Sequence, residues 1–119
     1  MGKDAEMPII IENSGEIVSS HVLRARTFFE RAMGLLGTKR LGSDECLIIE
    51  HCNQVHTFLM SYEIDVIFCD KNNIVLDTHQ SLSPWRISKR VKGASYVIEL
   101  AKARVAEIGI FTGDRILIS

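Results

Sequence analysis

The sequence has no apolar run long enough to span a membrane. Its amino end reads Met1, Gly2, Lys3, Asp4, Ala5, Glu6 before Met7, Pro8 and three isoleucines, so neither a signal core nor a spanning helix is expected. Glu6 stands where a myristoylation signal needs Ser or Thr. Cysteine is scarce: Cys46, Cys52 and Cys69 cannot all pair within one chain, which points to reduced thiols rather than a disulfide scaffold. A cytoplasmic protein is therefore expected, with residues 1–6 a flexible leader and residues 7–119 one domain. There is no internal repeat, low-complexity tract or linker composition, and disorder, collagen and coiled coil are excluded as classes. No Walker or dinucleotide pattern occurs, and no two-residue cysteine knuckle with a second ligand pair, so neither cofactor nor metal is expected.

An excess of charge of one sign is also missing: 14 Lys and Arg face 15 Asp and Glu, a formal charge of -1. The cations are nevertheless unevenly spread. Arg24, Arg26, Arg31, Lys39 and Arg40 form one basic segment, and Arg86, Lys89, Arg90 and Lys92 form another. Joined on one face they would attract an anionic partner; kept apart they are ordinary solvated surface.

Of the 119 residues, 46% are hydrophobic and 24% charged. A chain of this length buries roughly two thirds of its unfolded surface, enough for one core and not for two. Ile9, Ile10 and Ile11, then Asn13, Ser14 and Gly15, then Ile17 and Val18 read as a hairpin. Thr27 with Glu30 three residues on is a capping box, opening a helix over 28–36 whose apolar stripe (Phe28, Phe29, Ala32, Met33, Leu36) ends at Gly37. Short β-favouring runs follow at 46–49, 55–60, 64–69, 74–78 and 95–100, with the polar residues 70–73 turning one pair into a hairpin. Ala101, Val105 and Ile108 share one face of a second short helix stopped by Gly109, and Thr112, Gly113 and Asp114 turn the chain into a last strand at 115–118. The expected fold is α+β: a single domain with a mainly antiparallel, barrel-like β-sheet and two short α-helices.

Three ordered blocks carry a family resemblance. Arg31, Gly34, Leu35 and Leu36 with Leu41 form the first. Cys52, Val55, His56, Thr57, Phe58, Met60, Ile64, Asp65, Phe68 and Asp70 form the second. Leu82, Pro84, Trp85 and Arg86, then Glu99, Leu100, Gly113 and Asp114, form the third. In these blocks the sequence resembles the bacterial and archaeal family catalogued as domain of unknown function 192. The resemblance implies a compact β-rich fold with a helix carrying the first block, and it implies no reaction. Two departures stand out: Glu63 where relatives usually place proline, and Ala101, Lys102, Ala103 where they usually have Pro, Ala, Gly.

Cys52 and His56, four apart, could face one side of a strand and act as metal ligands or as nucleophile and base; the structural alternative makes Cys52 and Cys69 small core fillers and His56 a hydrogen-bonded scaffold residue. Asp65 sits inside the apolar run Ile64, Val66, Ile67, Phe68, so its carboxylate must find a donor, with His56, Thr57 or Arg86 as candidates. Glu99 poses the same question. The only tryptophan, Trp85, beside Arg86 could stack a ring while the neighbouring cations hold an anion.

The leading expectation is a non-enzymatic ligand-binding or protein-interaction domain. Its shallow polar site would use His56, Thr57, Asp65, Trp85 and Arg86 for a small anionic or peptide-like ligand, or for a protein partner. A small enzyme using Cys52 or a His56 and Asp65 dyad for acyl or proton transfer is the alternative. Nucleic-acid binding through the two basic segments is a weaker third, because the chain is net acidic and lacks the aromatic and glycine signature of RNA-binding sheets.

Overall fold

A computed structural model describes residues 8–25, 41–57 and 60–118. Its strands are β1 (Ile9–Ile11), β2 (Ile17–Ser19), β3 (His21–Ala25), β4 (Glu45–Glu50), β5 (Ile64–Cys69), β6 (Val75–Leu82), β7 (Tyr96–Ala101) and β8 (Ile116–Leu117). One short helix, α1 (Arg104–Ile108), precedes β8. The strands form a five-stranded sheet in the order β3-β4-β7-β5-β6 and a three-stranded sheet in the order β2-β1-β8. All pairs are antiparallel except β3 with β4.

Alternation along the strands makes two cores. Leu47, Ile49, Ile64, Val66, Phe68 and Val97 point to one face, where loop residues Val55, Met60, Tyr62 and Val91 cover them. Cys46, Ile48, Ile67, Cys69, Ile98 and Leu100 point to the other, against Ile9, Ile11, Val18 and Ile116 of the small sheet and Val105 of α1. β5 is buried at every position because both its faces are covered.

The structure corrects the expected fold in two respects. The large sheet does not close into a barrel, since β3 and β6 stand at its two ends. Of the two helices expected, α1 is the one found among the described residues, and the helix over 28–36 with its Thr27 and Glu30 capping box falls outside them. The described residues of the run expected at 55–60, namely 55–57 and 60, form no strand: His56 makes an isolated bridge to Ile87, and the carbonyl of Thr57 accepts from the amides of Met60 and Trp85. Val55 and Met60 fill the core from a loop. The hairpin of β1 and β2 stands as expected, and Gly109, at φ 79°, ends α1 in the left-handed conformation.

Ala103, just before α1, is also left-handed, at φ 77°. It occupies the place where the family that the sequence resembles usually has glycine, and a Cβ in this region costs about 1–2 kcal/mol. Ala103→Gly is expected to raise the unfolding free energy by about 1 kcal/mol, read as a higher urea midpoint at unchanged slope.

Candidate functional site

Asp65 is fully buried on the face of β5 that packs against α1. Its Oδ1 accepts from the amide of Ser81 at 2.9 Å, and its Oδ2 from the amide of Val105 at 2.9 Å. The expected solvent-facing carboxylate is thus a sealed one. α1 starts from Ala103, which has no side-chain oxygen to cap it, and Asp65 reaches across from β5 to take that place. With each oxygen engaged by the backbone, the geometry gives no support to an acid/base dyad with His56. Glu99, also fully buried, lies on the opposite face, in register between Leu47 and Val66.

Thr57 organises a different region. It too is fully buried, and its Oγ1 donates to the carbonyl of Ser83 while accepting from the amide of Arg86 at 2.9 Å. Its own amide donates to the Arg86 carbonyl at 2.8 Å, and its carbonyl accepts from the Trp85 amide at 3.0 Å. Further along, the Ser88 amide donates to Val55, Ser88 Oγ accepts from the Val55 amide, and the Val91 amide donates to Asn53. Residues 53–57 and 83–91 are thereby zipped together. The bonds hold Trp85 at φ 61° with 61% of its surface exposed, next to Ile87, 58% exposed, and the exposed Arg86. His56 lies half-buried on the same pair of loops.

The structure therefore brings four of the five expected residues together, His56, Thr57, Trp85 and Arg86, and holds Asp65 apart from them, on the α1 face of β5, by the amides of Ser81 and Val105. It does not join Arg24 of the first basic segment to them. The Trp85 loop follows the end of the sheet where Ile64 meets Leu82 and Ala101, whereas Arg24 lines a cleft at the other end, where Glu50 and Cys69 both register with Tyr96. Arg26, Arg31, Lys39 and Arg40 fall outside the described residues. Within the second segment Lys89 is held by Asp77 at 2.7 Å, and that contact keeps the Asp77 carboxyl below its ordinary range.

The cysteines divide by environment. Burial pushes the Cys46 thiol up to about 11 and the Cys69 thiol up to about 12, so both stay protonated at neutral pH and serve as core. Cys52 is half-buried, and its Sγ donates to the Gln54 carbonyl at 3.1 Å. Among the described residues no group of three or more His, Cys, Asp or Glu side chains could hold a metal ion.

The cleft at the Arg24 end was not legible in the sequence. It encloses about 560 Å³ and draws on β3, the ends of β4 and β7, the β5–β6 turn and Ile118. Tyr96 stands in its wall with its hydroxyl donating to Asn73 Oδ1 at 2.8 Å, and burial pushes that hydroxyl well above its ordinary range. Among the described residues no helix is long and apolar enough to cross a membrane.

Comparison with known proteins places this geometry in context. The model of the family described as "Uncharacterized ACR", domain of unknown function 192, matches residues 9–118. A UPF0127 protein of Thermococcus sibiricus is 30% identical over 112 residues, covering 91% of this chain and 72% of that protein. A UPF0127 protein of Pyrococcus abyssi is 44% identical over 59 residues, 46% of this chain and 50% of that one. Among solved structures, a protein of unknown function from Novosphingobium aromaticivorans matches with TM-score 0.79 and 20% identity over 99% of this chain and 94% of that one. A Sinorhizobium meliloti protein, provisionally described as a transcription regulator, matches with TM-score 0.75 and 19% identity over 98% of this chain and 97% of its own. Both structures share the fold.

Proposed function

Because the chain belongs to the domain of unknown function 192 family, whose description names no reaction, we propose from its geometry that it is a small ligand-binding or protein-interaction domain. The contact surface is the loop carrying Trp85 and Arg86, and the ligand is an acidic, peptide-like segment. One observation carries the reading: the only tryptophan is left 61% exposed on a left-handed backbone that the buried Thr57 holds in place. Non-glycine residues keep that conformation only where their surroundings impose it, and such positions cluster at functional sites. A rigid aromatic anchor needs little ordering on binding, and Arg86, Arg90 and Lys92 are exposed on either side of the buried Ser88 and Val91. Trp85 supplies stacking area and the cations supply attraction.

Trp85 is also a built-in reporter. Titrating a synthetic glutamate-rich peptide is expected to shift its emission saturably, and added salt should weaken the effect. By calorimetry, Trp85→Ala and Arg86→Ala should each weaken binding about tenfold or more, while stability changes by less than about 0.5 kcal/mol because both side chains are exposed. Wild-type affinity in both variants, or no saturable shift at low salt, would remove the reading. A second reading, nucleic-acid binding, rests on the same exposed cations; a gel shift with no retardation at low ionic strength would end it.

A further inference from the structure

We propose that the cleft at the far end of the five-stranded sheet is a second, independent site, one that takes a small organic anion with an acidic head and an apolar body of about one ring. Its volume of about 560 Å³ lies within the roughly 300–1,000 Å³ usual for small-molecule pockets. Two cations in the lining, Arg24 and Lys71, outnumber its one carboxylate, Glu50. Asn73 turns its Oδ1 to the Tyr96 hydroxyl, which engages one of that oxygen's two lone pairs and leaves both NH2 donors to offer. The polar wall is therefore biased towards donors and positive charge, which is the complement of a carboxylate or phosphate. The apolar wall is Ile48, Ile118 and the Tyr96 ring.

The walls are built before any ligand arrives. Asp70 Oδ1 accepts from the amides of Asn72 at 2.8 Å and Ile74 at 3.0 Å, which fixes the turn carrying Lys71 and Asn73. The Ser95 amide donates to Cys69 at 2.7 Å, and the Asn73 carbonyl accepts from Ile116 at 2.8 Å. Two of the five non-glycine residues with positive φ among the described residues, His51 at 53° and Asn73 at 66°, stand on this cleft. An adjoining hollow of about 300 Å³ shares His51 and Ser95 and leaves room for a longer ligand.

The test is amide chemical-shift mapping on the whole chain with benzoate, phenyl phosphate, inorganic phosphate and benzyl alcohol as probes at millimolar concentration. Saturable shifts at Asn73, Ser95 and Tyr96 with benzoate support a carboxylate ligand, and the same shifts with phenyl phosphate support a phosphate ester. Lys71→Glu, at an exposed position, should weaken either by about tenfold or more, whereas Arg86→Ala, at the opposite end, should leave both unchanged. The proposal is overturned if benzyl alcohol or inorganic phosphate shifts these amides as strongly as the aromatic anions, if no probe moves them, or if Lys71→Glu has no effect. Failure of the Trp85 reading would leave all of these outcomes untouched.

Discussion

Asp65→Ala is expected to lower the unfolding free energy by about 2–4 kcal/mol, because two main-chain amides, one of them buried, each lose a charge-assisted bond worth about 1.5–3 kcal/mol at most. The two amides are those of Ser81, at the end of the edge strand β6, and Val105, in the first turn of α1. The Val105 bond is buried, so that amide cannot turn to water, whereas the Ser81 bond is part-buried on an exposed residue and loses less. Asp65→Asn should fall between wild type and Ala: one oxygen still accepts, but the side-chain NH2 now faces a backbone donor. Urea denaturation measures both. Native-state hydrogen exchange should show the Val105 amide opening first, before the amides of β5 and β7. A loss below about 1 kcal/mol in Asp65→Ala would mean that the carboxylate is not what holds α1 to the sheet.

Thr57→Val, which keeps the shape and removes the hydroxyl, is expected to cost about 2–3 kcal/mol, since it leaves the Arg86 amide without an acceptor and the Ser83 carbonyl without a donor. The two main-chain bonds from Thr57 to Trp85 and Arg86 remain, so the loop should loosen rather than detach. That distinction can be measured: the fluorescence anisotropy of Trp85 should fall in Thr57→Val and return in Thr57→Ser, which restores the hydroxyl. Unchanged stability and anisotropy in Thr57→Val would show that the main chain alone fixes the loop. The same variant bears on function, because a mobile Trp85 must be ordered on binding and peptide affinity should fall with the anisotropy.

The parts of the fold that were legible in the sequence are those with a local signature. The first hairpin, β4, β5 and β7 show as β-favouring runs, and α1 shows through Val105, Ile108 and its Gly109 stop. β3 was missed: His21 and Arg24 break its apolar pattern, and its parallel pairing with β4 leaves no turn to read in the sequence. The run at 55–60 misled because Val55 and Met60 are core residues while the backbone of Val55 and Thr57 is bound by the neighbouring loop and the Met60 amide turns back to Thr57.

Asp65 was correctly singled out as needing donors, but they are main-chain amides 16 and 40 residues away, which no spacing rule identifies. The loop site was half visible, as Trp85 beside Arg86. That Thr57 holds both is a long-range fact, 29 residues from its Arg86 contact. The far cleft was invisible because each segment lends it only one to a few side chains.

β7 sits between β4 and β5 yet follows both along the chain. During folding, β3 can pair with β4, and β5 with β6, before the segment that joins the two halves has docked. β5, buried on both faces in the finished domain, must wait with one edge open until β7 arrives. Pairing of this kind, between strands distant in sequence, is slow and leaves apolar edges exposed to aggregation. A folding chain in which β7 has not yet docked is therefore at its most vulnerable point, and a chaperone would be most useful there.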